Sequence, residues 1–173
     1  MAYFYFDFGD SEKQRSENLI RSLITQLSFQ TSSCPDSLAA LYSKNQNGQR
    51  HPTLQSLMMT LKDIVRGFER VYVILDALDE CEDREELVAL IKEIHDWKLG
   101  KLNMLATSRA ERDIKDGIGP HVSAQINLHS SQVNADIQIH IRERLENDPK
   151  LKKWSAKVHG EIEVVLMEGA HGM

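Results

Sequence analysis

Residues 71–81, VYVILDALDEC, constrain this chain more than any other stretch. The unbroken apolar run from Val71 to Leu75 is the pattern of a strand buried on both faces of a parallel sheet. It stops on Asp76, and two more acids follow at Asp79 and Glu80. Parallel strands need long crossover connections, usually helices, and the flanking segments have that character. Upstream, Thr53 can cap a helix whose Leu54, Leu57, Met58, Leu61, Ile64, Val65 and Phe68 form one apolar face. Downstream, Asp83 and Glu86 open a helix carrying Leu87, Leu90, Ile91, Ile94 and Trp97. A second short strand, LNMLA at residues 102–106, ends in Thr107-Ser108-Arg109. The expected fold class is therefore α/β: a mostly parallel sheet flanked by helices.

The rest of the chain fits that frame. Residues 2–8 (AYFYFDF) read as a strand with Phe4, Phe6 and Phe8 on one face and Tyr3, Tyr5 and Asp7 on the other. Ser11 and Gln14 make a capping box for a helix with Leu19, Ile20, Leu23, Ile24 and Leu27 on one stripe. Pro35 and Asp36 break that helix, a short helix is expected over 37–42, and the polar stretch 44–52 reads as a loop. Residues 125–128 suggest one more strand. From Gln132 the pattern is helical to the end: Val133, Ile137, Ile141 and Leu145, then a break at Asn147-Asp148-Pro149, then a helix through Trp154, Val158, Ile162, Val165 and Leu166. This places a sheet-bearing core at 1–128 and a helical segment at 129–173. No internal repeat or low-complexity segment is visible.

Composition narrows the function classes. At 173 residues, 41% apolar and 27% charged, the chain is ordinary for a globular domain, which disfavours disordered, collagen-like and disulfide-scaffold readings. The 21 basic and 26 acidic residues leave a net charge of −5, which argues against nucleic acid as a partner. A nucleotide stays open, because backbone amides and a metal ion can hold its phosphates. Cys34 and Cys81 have no metal-ligand spacing and fit a reducing compartment. The seven histidines show no paired metal spacing either. The first residues lack a basic signal-peptide region, and no apolar run approaches the length of a membrane span. The expected location is cytoplasmic, with no membrane partner.

The chemistry is expected at the carboxyl ends of the strands, where open α/β sheets bind ligands. A carboxylate at Asp76 suits Mg²⁺, held directly or through water, beside a nucleotide phosphate. Asp79 or Glu80 can polarise a water for attack on a terminal phosphate. The plainer alternative is a solvated acidic turn that caps the next helix. Thr107, Ser108 and Arg109 at the end of a neighbouring strand offer hydroxyls and a guanidinium suited to reading a phosphate. Cys81 follows Glu80 directly, yet no histidine lies near it in sequence to make it a nucleophile, and a turn residue is expected there.

The order FYFDFGDSEKQ, LIRSLITQL, VYVILDALDEC and LATSRAERDI resembles the NACHT-type NTPases of the STAND class. It is most similar to the large fungal group with a nephrocystin-like N-terminal NTPase domain. The resemblance covers nearly the whole chain. It implies a P-loop NTPase sheet with Asp76 as the Mg²⁺ acid of the Walker B strand. Asp79 and Glu80 match the further acids linked to hydrolysis, and Arg109 matches the sensor-1 arginine, with Thr107 and Ser108 beside it. The family usually has proline after that arginine, where this chain has Ala110.

The same resemblance sets a mismatch in view. No G-x-x-x-x-G-K-[ST] motif, which would cradle the phosphates, occurs in the 173 residues. In the resembling family that P-loop lies just upstream of the opening strand, and its own strand sits centrally in the sheet. The chain is thus expected to be a partial core with a truncated helical region. Three functional expectations stand. One is a fragment of an ATP- or GTP-dependent signalling switch, Mg²⁺-linked, slow in hydrolysis and self-associating through this domain. The other is a non-catalytic remnant acting only as an interaction module. An unrelated α/β enzyme using the Asp76 acids with a metal is a third.

Overall fold

The computed structural model describes residues 1–126 and 131–170. The chain divides into two compact units, Met1–Val122 and Ser123–Met173. The first holds a three-stranded parallel sheet, β1 (Ala2–Tyr5), β2 (Val71–Asp76) and β3 (Leu102–Ala106), in the order β1-β2-β3. Helices α1 (Ser16–Ser28), α2 (Asp36–Lys44) and α3 (Leu54–Arg66) connect β1 to β2. Helix α4 (Arg84–Asp96) connects β2 to β3, and α5 (Arg112–Ile118) follows. The protein is an α/β protein, as the alternation of apolar patterns predicts.

Register fixes which residues share a face. Ala2 pairs with Val73 and Phe4 with Leu75, while Val71 pairs with Leu102 and Val73 with Met104. These residues face the core together with Leu19, Leu23 and Leu27 of α1, Leu61 and Val65 of α3, and Leu87 and Ile94 of α4. Each fully buried leucine or isoleucine contributes about 1.5–3 kcal/mol of apolar transfer free energy, so this layer is what holds the unit together. The predicted apolar stripe of α1 is buried in full. Thr53 caps α3 by accepting from the Ser56 N–H, and Asp83 caps α4 by accepting from the Glu86 N–H at 2.8 Å.

The expectation that β2 is buried on both faces fails. Its burial alternates, and Tyr72 is about half exposed. Tyr3, Tyr5 and Leu105 lie on the same face as Tyr72 and are also exposed. Topology supplies the reason. Strands that add in one direction, joined by right-handed crossovers, place all their helices on one side of the sheet.

Other boundaries shift for local reasons. The first strand ends at Tyr5, not Phe8, because Asp7 turns the chain: its carboxylate accepts from the Gly9 N–H at 2.8 Å and its carbonyl from the Asp10 N–H. Phe6 remains buried, but Phe8 is exposed. The Ser11–Gln14 capping box is not formed. That segment is a 3-10 turn capped by Asp10, and α1 starts at Ser16 with no side-chain cap. The short helix is longer than the expected 37–42. Helix α5 has too few apolar positions to have been read from periodicity.

In the second unit, α6 (Ser131–Asn147) and α7 (Ala156–Ala170) are joined across the predicted break at Pro149. Arg142 and Gln138 of α6 both bond Glu163 of α7, at 3.0 and 2.6 Å. That pairing holds the Glu163 carboxyl below its usual range, chiefly through the hydrogen bond from Arg142. Trp154 precedes α7 rather than lying within it. Of the strand expected at 125–128, Gln125 and Ile126 lie in no strand, and the remainder falls outside the described residues.

Candidate functional site at the carboxyl end of the sheet

Three loops meet where the strands end: residues 6–15 after β1, 77–83 after β2 and 107–111 after β3. Asp76 is the last residue of β2 and is half-buried. Its Oδ1 accepts a hydrogen bond from the Thr107 hydroxyl at 2.5 Å. The same hydroxyl accepts from the Ala77 N–H at 3.0 Å. Ala77 has a φ of +56°, a left-handed conformation that costs a non-glycine residue about 1–2 kcal/mol. Backbone bonds on either side hold this bend: Thr107 N–H to the Leu75 carbonyl at 2.9 Å, and Leu78 N–H to the Thr107 carbonyl at 3.0 Å. The bend drives Leu78 into the core and turns Asp79 inward.

Asp79 is buried, and β3's loop neutralises it. Its Oδ1 accepts from the Arg109 backbone N–H at 3.0 Å and from the Ser108 hydroxyl at 3.4 Å. Its Oδ2 lies 3.5 Å from Arg109 Nε. The Arg109 side chain itself is largely exposed. The Ser108 hydroxyl has a nearer acceptor in the Arg109 carbonyl, at 2.8 Å, so the Arg109 N–H and guanidinium are the main partners by which this buried carboxylate is satisfied.

Glu80 turns the other way. Its Oε2 accepts the Phe8 N–H at 3.0 Å, binding the loop after β2 to the loop after β1. Gln14 adds to that link. Its side-chain amide donates to the Phe8 carbonyl at 2.6 Å, and its own carbonyl accepts the Glu82 N–H at 3.0 Å and the Cys81 thiol at 3.2 Å. Burial pushes the Cys81 thiol up to about 11. It is a buried turn residue rather than an activated nucleophile.

The structure thus gathers Asp76, Asp79, Thr107, Ser108 and Arg109 into one cluster and places Glu80 on its β1 side. Sequence reasoning missed two contributors. Gln14 was read as a helix cap but ties two site loops. Ala77, with no glycine to signal a left-handed bend, sets the direction of Asp79.

A Mg²⁺ ion fits the donor set. Among the described residues no three histidine, cysteine or carboxylate side chains converge as a protein-only metal cage. Asp76 offers one hard oxygen, Oδ2, that has no hydrogen bond or ion pair among the described residues. Mg²⁺ is commonly held in that way, by one or two carboxylates with waters and phosphate oxygens completing its octahedron.

Fold and site together define an α/β protein with a polar, charge-paired cluster at the carboxyl edge of a parallel sheet. The profile of the family described as Nephrocystin 3, N-terminal matches residues 1–109, which is more than half of the chain. The chain belongs to that family. The matched stretch contains all three strands and ends on Arg109, so every predicted site residue lies within it. No curated protein and no solved structure matches the chain. Among the described residues, no helix is long and apolar enough to cross a membrane.

Proposed function

We propose that this chain carries the cation-binding and terminal-phosphate-reading half of a nucleotide site, in a NACHT-type STAND switch with a P-loop NTPase sheet. The nucleotide is ATP or GTP with Mg²⁺. The observation that supports this most is the convergence of Asp76 and Arg109 at the ends of adjacent parallel strands, with Asp79 joining them. Asp76 takes the role of the Mg²⁺ acid. Thr107, Ser108 and Arg109 face the terminal phosphate, a geometry in which a guanidinium offers directed donors. Asp79 and Glu80 are the acids for positioning water. Of these, Glu80 keeps one oxygen without a partner among the described residues, while both oxygens of Asp79 are engaged. Exchange of the nucleotide would order or release these loops, a common switching device. The setting proposed is cytoplasmic.

A second reading is an interaction module without nucleotide turnover, or a switch that self-associates through this domain. The half-exposed Tyr3, Tyr5 and Tyr72 with Leu105 on the bare sheet face support it, since contiguous apolar surface marks association sites.

Thermal unfolding separates the two. A ligand at about 100 times its dissociation constant adds about 2.7 kcal/mol of stability. Millimolar Mg-ATP or Mg-GTP is expected to raise the midpoint of the purified chain, and Asp76→Ala to remove the Mg²⁺ dependence of that rise. The absence of any shift with either nucleotide would leave the interaction module as the function of this chain.

A further inference from the structure

The geometry points to a transition-metal site of the Zn²⁺ class, formed by His95 and His121 and independent of the nucleotide reading above. The two histidines stand far apart in the chain, and the packing of α5 on α4 brings them together. Three contacts step along α4 in order. Arg84 pairs with Asp113 at 2.9 Å, Val88 lies against Gly117, and the ring of His95 meets that of His121 with 4.9 Å between centroids. The two helices therefore run side by side in the same direction, and the histidines fall where they end. His95 is in the last turn of α4, and His121 closes the 3-10 turn Gly119–His121 that follows α5. Because α4 starts beside the carboxyl end of β2 and ends ahead of β3, this is the far end of the sheet from Asp76. His95 is exposed and His121 half-buried, so an ion reaches them from water.

The spacing suits one shared ion. A tetrahedral zinc holds each imidazole nitrogen at about 2.0–2.1 Å, which puts two ligating rings about 5 Å apart at their centroids. A ring centroid lies close to the Cβ–Cγ axis. Turning χ2, a soft torsion in histidine, therefore chooses which nitrogen faces the partner without moving the rings apart. Asp96 Oδ1 lies 3.5 Å from His95 Nδ1. A carboxylate beside one ring nitrogen is a common support of a ligating histidine, and it leaves Nε2 for the metal. Among the described residues no third histidine, cysteine or carboxylate converges on the pair as a ligand, so waters complete the shell. Imidazole suits Zn²⁺, Cu²⁺ and Ni²⁺, whereas Mg²⁺ and Ca²⁺ take oxygen ligands. A bound ion clips the turn after α5 to the end of α4.

The test is titration calorimetry of the full chain with Zn²⁺, without nucleotide and in millimolar Mg²⁺, which competes for oxygen sites such as Asp76. Wild type is expected to take one Zn²⁺. Groups that only orient a metal ligand change metal affinity by about 10–100-fold, so loss of a ligand itself, in His95→Ala or His121→Phe, is expected to weaken binding by at least about 10-fold. Phenylalanine keeps a ring beside His95. His121→Phe is therefore expected to hold the metal-free thermal midpoint and to lose its rise with Zn²⁺, which separates ligation from ring packing. Cys34→Ser and His140→Ala are expected to bind as wild type does. No Zn²⁺ binding by wild type overturns the inference, and so does wild-type affinity in His95→Ala or in His121→Phe. Loss of affinity in Cys34→Ser or His140→Ala places the ion elsewhere and overturns it too. His95 is exposed, so His95→Ala decides alone should His121→Phe fail to fold. The nucleotide reading stands or falls separately, on the thermal shift with Mg-ATP or Mg-GTP.

Discussion

Asp79 and Arg109 form a contact whose two partners are unequal. The carboxylate is buried and the guanidinium is mostly in water. Asp79→Ala strips the Arg109 N–H of its acceptor, while the Ser108 hydroxyl keeps the Arg109 carbonyl at 2.8 Å, and an unsatisfied backbone N–H of this kind costs about 1–3 kcal/mol. Arg109→Ala removes one solvent-screened ion pair and leaves Asp79 with the backbone N–H bond at position 109, so about 1 kcal/mol or less is expected. Urea denaturation of the two variants checks the order, and a larger loss for Arg109→Ala would contradict this account. Cys81 gives a pH prediction. Its folded pKa, about 11, lies above its ordinary value of 9.0 because burial disfavours the thiolate. The folded state thus holds the proton longer than the unfolded chain. The resulting stability is fully present below pH 9 and is lost as pH rises through 11. Between those limits wild type should lose stability more steeply than Cys81→Ala in parallel urea titrations.

Among the elements, β1 shows how an exposed strand edge is managed. The side-chain amide of Gln26, on α1, accepts from Tyr3 N–H at 3.1 Å and donates to Tyr3 carbonyl at 2.7 Å. Gln30 does the same for the Met1 amine and carbonyl, both at 2.8 Å. Two glutamines four residues apart, one on α1 and one in the turn just past it, thus stand in for a neighbouring strand and block edge-to-edge pairing. Helix α5 packs on α4 through Gly117. A Cβ there would sit 2.6 Å from Val88 Cγ1. Alanine gains about 1 kcal/mol of helix propensity over glycine, but overpacking against a stiff β-branched side chain costs about 1–3 kcal/mol. Gly117→Ala is therefore expected to lower the thermal midpoint. In a Val88→Ala background the same change should raise it, because the obstructing methyls are gone. A double-mutant cycle measures the reversal, and a Gly117→Ala effect of the same sign in both backgrounds would refute the packing account.

For the whole molecule, the main buried apolar cluster among the described residues spans Ala2 to Ile118, with Leu145 buried apart from it. The Met1–Val122 unit contains all of it. A chain ending at Val122 is expected to keep a cooperative urea transition by circular dichroism, and a non-cooperative one would show that the core depends on the second unit. At this scale the sources of information separate. Local periodicity and caps are encoded within a few residues, so the α1 and α3 stripes, the Thr53 and Asp83 caps and the strand at Leu102–Ala106 were legible in the sequence. The strand-end acids and Arg109 were legible too, because a strand's carboxyl end is marked by where its apolar run stops. The bare face beside Tyr72 was not, because a continuous apolar run says that a strand is apolar but not which layers cover it. The partners of Asp79, Glu80 and Gln14 were equally hidden, since each bond joins loops brought together only by strand order and register. What the sequence determined by itself was the kind of each element and which side chains stand at the strand ends. Only the tertiary structure decided which of them are satisfied, because hydrogen-bond partners distant in sequence are set by how the strands pair.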